Sequence, residues 1–137
     1  MPFVLDSSVT LAWLLPDEAS PAADRLLEQL SGEYALVPAI WPLEIANVLI
    51  MAQRRGRISQ QEREIMFGNL RVLPIKIEET YLERSLGAVL ELAICHGLTS
   101  YDAAYLELAQ RRGLPLATLD TRLRAACDAA GVAVLPS

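Results

Sequence analysis

Apolar residues along this chain follow two rhythms: short unbroken runs, and longer stretches in which they recur roughly every three to four positions. The two alternate from one end to the other. Phe3-Val4-Leu5 is a run that stops at Asp6; Ser7-Ser8 then lead into Val9, Ala12, Trp13 and Leu14 at helical spacing, up to Pro16. That pattern predicts a strand, a turn and a helix. Ser20-Pro21 offers an N-cap with proline at the first helical position, and Ala22, Leu26, Leu27 and Leu30 carry a second helix toward Gly32. Ala35-Leu36-Val37 reads as a second strand. Trp41-Pro42 opens a helix with Ile45, Val48, Leu49 and Ala52 on one stripe, ending at Gly56. Ser59, with Glu62 three residues on, forms a capping box for a helix running to about Leu70.

The second half repeats the alternation. Val72-Leu73-Pro74-Ile75 is expected to be a third strand, placed at a sheet edge because proline cannot donate to the ladder. From Glu78 to Cys95 the spacing predicts helix, either one or two broken near Gly87, with a stop at His96-Gly97. Thr99-Ser100-Tyr101-Asp102 begins a helix closing at Gly113; Leu116-Ala117-Thr118 is a fourth strand, Asp120 to about Ala130 a last helix, and Val132-Ala133-Val134 a fifth strand. Short apolar strands alternating with helices indicate an α/β fold whose parallel sheet is buried on both faces.

Length and composition narrow this picture. The 137 residues suit a single domain, 1–137, with no linker, repeat or low-complexity segment. Apolar residues make up 53% of the chain and mean hydropathy is +0.28, which points to a large core and an apolar interface besides. The richest region, Tyr34 to Ala52, is broken by Pro38, Pro42, Glu44 and Asn47, so no membrane span is expected. The start lacks a basic segment followed by a long apolar run, and a cytoplasmic location is expected. Cys95 and Cys127 lack the close pairing of a zinc site and are expected to be plain core residues. His96, the only histidine, sits at a helix end where a cation favours the dipole, so histidine-based catalysis has little support.

The candidate chemistry lies in four acids. Asp6 and Asp120 each follow a predicted strand, so in a parallel sheet both emerge at the carboxyl edge, where ligand sites of open α/β sheets lie. Glu44 and Asp102 fall in the first turns of two helices that return to that edge. Each position also suits an acid for capping or dipole reasons alone. Carboxylates gathered in one cleft, however, call for a compensating cation, and Mg²⁺ or Mn²⁺ is the natural partner of hard oxygen ligands. A net charge of −5 counts against strong non-specific nucleic-acid binding, but four clustered acids account for much of it, and the arginines are grouped: Arg54, Arg55 and Arg57; Arg111 and Arg112; Arg122 and Arg124.

Four motifs in this order carry a family resemblance: Val4-Leu5-Asp6-Ser7-Ser8, Pro42-Leu43-Glu44-Ile45-Ala46-Asn47-Val48-Leu49, Tyr101-Asp102-Ala103-Ala104-Tyr105-Leu106-Glu107-Leu108-Ala109 and Thr118-Leu119-Asp120. Over essentially its full length the chain resembles the PIN-domain family, and within it the VapC-type ribonuclease toxins of toxin-antitoxin pairs. The resemblance implies a PIN-like three-layer α/β fold: a five-stranded parallel sheet flanked by helices, with strands one and four adjacent. It implies a Mg²⁺- or Mn²⁺-dependent endoribonuclease that hydrolyses RNA phosphodiester bonds by metal-activated water. Asp6, Glu44, Asp102 and Asp120 fall on the family's acidic positions, Asp6 and Asp102 touching metal directly, Asp120 and Glu44 completing the cluster or acting through water. Thr118 matches the family's small hydroxyl residue, with a role in orienting the acids. The implied partners are RNA, a small cognate antitoxin whose arginine-bearing tail plugs the cleft, and a second copy of the chain in a homodimer.

Other residues carry two readings each. Ser7 and Ser8 either bind phosphate or cap the helix, and Asn47 either bonds Glu44 or substrate or is a surface residue. Trp13 and Trp41 either stack on bases or pack in the core. A non-catalytic PIN-like metal- or RNA-binding module is the alternative function. A phospho-receiver would need a lysine near the acids, and the only lysine, Lys76, is elsewhere.

Overall fold

A computed structural model describes all residues 1–137. Five parallel strands, β1 (Phe3–Leu5), β2 (Ala35–Pro38), β3 (Ile75–Glu78), β4 (Leu116–Ala117) and β5 (Val134–Leu135), form one sheet in the order β3-β2-β1-β4-β5. Seven helices flank it: α1 (Ser7–Leu14), α2 (Pro21–Gln29), α3 (Trp41–Arg54), α4 (Gln60–Arg71), α5 (spanning 82–96), α6 (Ser100–Arg112) and α7 (Thr121–Ala130). The expected α/β class and the adjacency of strands one and four are both present, with Val4 beside Leu116 and Leu5 beside Ala117. Strand order reverses between β1 and β4, the kind of point at whose carboxyl ends open α/β sheets place a ligand crevice.

The central strands read as continuous apolar runs because both their faces are covered. Phe3, Val4, Leu5, Leu116 and Ala117 are wholly buried. On one side α6 lies against β1, β2 and β4, with α5 and α7 packed beside it; α1 packs with α2 and α3, and α3 with α4. No helix is long and apolar enough to cross a membrane.

Local signals set the helix ends largely as expected. Ser20 caps α2 and Pro21 opens it; Ser59 and Glu62 complete the capping box of α4; Thr99 caps α6 by accepting from the Asp102 amide at 3.1 Å. Gly97, Gly113 and Gly131 close α5, α6 and α7 with positive φ, a conformation in which a Cβ is strained.

Four expectations are corrected. The third strand is Ile75–Glu78, following Pro74 instead of containing it; Pro74 still contributes its carbonyl to the Ala35 amide, and β3 is an edge strand. The fifth strand starts at Val134 because the Val132 amide is spent on the Cys127 carbonyl, closing α7. Gly87 does not break its helix: Leu82–Arg84 runs into a π-turn, Ser85–Val89, and on through Leu90–His96. One glycine costs about 1 kcal/mol in a helix, too little to interrupt one held by neighbours. Cys127 is buried but Cys95 is exposed, so only one of the two is a core residue.

Candidate functional site

The site is assembled from chain segments that meet at the carboxyl ends of β1 and β4. Asp6 leaves β1 and stands at the N-cap position of α1, yet its carboxylate makes no capping hydrogen bond. It turns instead toward β4: Oδ2 accepts from the Ser8 hydroxyl at 2.6 Å and the Thr118 hydroxyl at 2.8 Å. Its short hydrogen bonds are to these hydroxyls, and the Ser7 and Ser8 amides add a weaker pull on the same carboxylate. Ser8 Oγ also accepts from the Leu119 amide at 2.9 Å, and Thr118 Oγ1 from the Asp120 amide at 3.1 Å. A small hydroxyl network therefore ties the end of β1 to the end of β4, across more than a hundred residues of sequence.

Each of three acids commits one oxygen to the protein. Asp6 uses Oδ2 as described. Glu44, in the first turn of α3, accepts from the Tyr105 phenol on α6 through Oε1 at 2.5 Å. Asp120 caps α7 through Oδ1, which accepts from the amides of Arg122 and Leu123 at 2.9 and 3.2 Å. Asp6 Oδ1, Glu44 Oε2, Asp120 Oδ2 and both oxygens of Asp102 accept no hydrogen bond. Since no buried side-chain oxygen lacks a partner and Asp120 is exposed, these free oxygens are open to solvent.

Electrostatics show that the four acids share one environment. Burial pushes the Asp6 carboxyl above its ordinary range, against the opposing pull of the Ser8 and Thr118 hydroxyls. Glu44 is raised by burial and by the charges of Asp6 and Asp102, while the Tyr105 hydrogen bond lowers it. Asp102 is raised by burial and by Asp6 and Asp120, with Thr99 and Arg122 acting the other way. The Tyr105 phenol is itself pushed far up by burial and by Glu44, so it remains a donor. None of the four acids forms an ion pair, whereas Asp17, Glu18, Glu33, Glu78 and Glu107 all do.

The donor set fits a hard divalent cation: carboxylate oxygens only, negative charge uncompensated, and orientation supplied by neutral hydroxyls and amides. No three acidic, histidine or cysteine groups are already drawn around one point. Like charges hold apart when nothing sits between them, and Glu44 and Asp102 are only half-buried.

Of the remaining sequence candidates, Thr118 is wholly buried and its hydroxyl donates to Asp6. The Ser8 hydroxyl donates to Asp6 and accepts from the Leu119 amide. Ser7 lies close enough to Glu44 and Tyr105 to favour the charged form of each. Asn47 is exposed and makes no hydrogen bond to Glu44. Trp13 and Trp41 serve packing: the indole of Trp13 donates to the Ala23 carbonyl and that of Trp41 to the Thr10 hydroxyl. Arg57 pairs with Asp17 at 2.7 Å and Glu18 at 3.6 Å. Tyr105 was not singled out by the sequence, although its position three residues after Asp102 places it one turn further along the same side of α6.

A parallel α/β sheet with an acidic crevice at its switch point defines the class, and the whole chain agrees with it. Residues 3–129 match the PIN domain, and the chain belongs to that family. It is 34% identical over 123 residues to Ribonuclease VapC3 of Pyrobaculum aerophilum, covering 90% of this chain and 92% of the relative. It is 31% identical over 120 residues to Ribonuclease VapC12 of Mycobacterium tuberculosis, covering 88% of each. The fold matches the crystal structure of PAE2754 from Pyrobaculum aerophilum with a TM-score of 0.73 at 23% identity, covering 98% of this chain and 90% of the other. FitAcB from Neisseria gonorrhoeae gives 0.62 at 20% identity, covering 98% and 96%.

Proposed function

We propose that this protein is a Mg²⁺- or Mn²⁺-dependent endoribonuclease of the VapC type, the toxin of a toxin-antitoxin pair. The observation that carries the reading is that four acids lie close enough for Asp6 and Asp102 to raise Glu44, and Asp6 and Asp120 to raise Asp102, with no cation paired to any of them. The ribonuclease names of relatives that are 34% and 31% identical over most of the chain support it.

In this reading Asp6 and Asp102 would hold the metal, Asp120 and Glu44 would complete the set, and Ser8 and Thr118 direct Asp6 while Tyr105 directs Glu44. Mg²⁺ or Mn²⁺, when bound, supplies Lewis acidity that activates water and offsets charge on the phosphoryl oxygens. The protein's own residues keep the carboxylates aligned at low reorganisation cost. Hydrolysis would add the water oxygen to phosphorus as the P–O bond to the ribose oxygen breaks, one proton ending on that oxygen and the other in solvent, and no protein nucleophile is needed. Ser7 and Asn47 stand at or near the crevice to meet RNA.

The same reading makes the protein cytoplasmic and gives it two protein partners, a cognate antitoxin and a second copy of the chain. Exposed apolar side chains support a cover of this kind: Ile65, Phe67 and Val72 around α4, and Leu82, Leu86 and Ile94 on α5. An uncompensated acidic crevice is a natural receptor for an antitoxin arginine.

Cleavage of labelled RNA in Mg²⁺ or Mn²⁺, with EDTA as control, tests the reading. Metal-dependent cutting by the wild type and its loss in Asp102→Asn is the expected result. RNA binding without cutting by antitoxin-free wild type would refute it in favour of a non-catalytic module.

A further inference from the structure

Beside the crevice, at the carboxyl ends of β2 and β3, lies a second cavity of about 220 Å³ that the proposed chemistry does not use. Its walls are apolar, from Ile40, Val89, Ala104 and Leu108. Its polar lining is a fixed array of guanidinium and carboxylate groups. Glu107 is 6% exposed and accepts from Arg111 Nε at 2.7 Å, with Arg84 Nε at 3.5 Å. Glu78 takes Arg111 at 3.5 Å and Arg112 on its other oxygen. The hydroxyls of Thr80 and Ser85 lie 3.1 Å apart on the same lining.

Lining residues of the cavity are sequence neighbours of the acids. Ser100 and Tyr101, which line it, immediately precede Asp102; Ala39 and Ile40, which also line it, lead into the helix that carries Glu44. The Tyr101 ring is 56% exposed at this border.

We propose that this cavity receives a nucleobase of the RNA, flanking the scissile phosphate, and that it favours guanine. The inference rests on the nuclease reading and extends it to sequence preference. A base has apolar faces and a polar edge, which is the pattern of this lining. A free anion would meet Glu78, Glu79 and Glu107. A metal ion would find Glu78 and Glu107 already paired with arginines, and an aliphatic chain would strand the buried charges. The volume is below the usual range for drug-sized ligands, about 300–1,000 Å³, and suits a single ring system. Recognition of single-stranded RNA works in this way, with bases splayed out, stacked on aromatic rings and read along their edges. Glu79, the one lining carboxylate that no arginine pairs, matches the N–H donors of guanine's Watson–Crick edge, and Tyr101 supplies a ring on which the base or its neighbour stacks.

An inosine scan tests this. Each guanosine of a cleaved oligoribonucleotide is replaced in turn by inosine, which lacks the exocyclic amine, and kcat/KM is measured with wild type, Ala104→Met and Tyr101→Ala. Binding of the same RNAs to Asp102→Asn is followed by fluorescence anisotropy, so a protein that binds without cutting still gives an answer. One flanking position is expected to cost wild type about tenfold on replacement. Ala104→Met, which fills the cavity, is expected to treat the two RNAs alike while Mn²⁺ raises its Tm as it does that of wild type. A flat scan in wild type, or an Ala104→Met protein that keeps the discrimination, overturns the proposal and leaves the nuclease reading standing. A flat scan with an altered oligomeric state for Ala104→Met in sedimentation would make the cavity a contact between copies. RNA neither cut nor bound by any form overturns both readings.

Discussion

Replacing Thr118 with valine asks how much of the site rests on one hydroxyl. Thr118 is wholly buried; its Oγ1 donates to Asp6 Oδ2 at 2.8 Å and accepts from the Asp120 amide at 3.1 Å. Valine keeps the shape and removes both bonds. A hydrogen bond to a charged group contributes about 1.5–3 kcal/mol, and an orphaned amide costs about 1–3 kcal/mol when water cannot reach it. Asp120 is exposed, so its amide can turn to water and the lower part of that second range applies. The added burial of a methyl in place of a hydroxyl offsets part of the loss. The net expectation is a destabilisation of about 2–3 kcal/mol.

At roughly 2.1 cal/mol/K of unfolding entropy per residue, a chain of this length loses about 7–10 °C of Tm for that change. Thr118→Ser, which keeps the hydroxyl and loses a methyl, should cost about 1 kcal/mol. The order of stability, wild type above serine above valine, is read by urea denaturation in EDTA. Metal-dependent RNA cleavage should fall at least tenfold in the valine protein and little in the serine one, because Asp6 loses one of the two donors that aim it. A valine variant as stable and as active as the serine one would refute the argument that the hydroxyl network holds the acid.

The remaining expectations are these. Tyr105→Phe keeps the buried ring and removes the donor to Glu44; stability should drop by about 1–2 kcal/mol, and the acid limb of the pH–rate profile should move to higher pH, because the lost bond lowered the Glu44 carboxyl. In EDTA, Asp102→Asn should gain stability over wild type as pH rises: a carboxyl raised in the folded state contributes most when protonated, at low pH, and that contribution is lost as pH climbs through its raised value. Equal pH dependence of the two proteins in thermal melts would contradict this. Arg124→Met should loosen the C-terminal strand by about 2 kcal/mol, since its guanidinium donates to the carbonyls of Thr118, Leu135 and Pro136 at 2.9, 3.3 and 2.8 Å; faster amide exchange at residues 134–137 checks it. A thiol reagent should label Cys95 quickly in the native protein and Cys127 only after unfolding, because Cys127 is buried and its thiol pushed up to about 11.

Periodicity and caps gave the sequence reading most of the fold. Ser20-Pro21, the Ser59/Glu62 box and the glycines after α5, α6 and α7 are local devices whose residues identify themselves. Where pattern and structure differ, the deciding interaction is remote. Pro74 looked like part of a strand because Val72 and Leu73 are apolar, yet Val72 is 78% exposed and the ladder starts only where β2 offers partners to Ile75. Gly87 looked like a break, and only packing of α5 on α6 keeps the helix continuous through a π-turn. The four acids were legible because strand ends and helix starts place them. Their scaffolding was not: Ser8 turning to Asp6, and Tyr105 reaching Glu44 from a residue 61 positions away, are contacts that spacing does not encode.

The choice of donors within that scaffolding bears on what the acids do. A carboxylate is held most strongly by arginine or lysine, and this protein uses arginine freely where charge needs neutralising, as around Glu78 and Glu107. At the crevice it uses hydroxyls for Asp6, a phenol for Glu44 and helix amides for Asp120. These orient one oxygen of each acid and leave its negative charge in place. The cost is visible in the raised carboxyls of Asp6, Glu44 and Asp102, which burial and mutual repulsion work against. Selection for stability alone would have put an arginine among them or replaced them with amides. An arrangement that fixes direction and preserves charge makes physical sense where a cation from outside is to complete it, and the same feature leaves the crevice open to capture by an arginine on another chain.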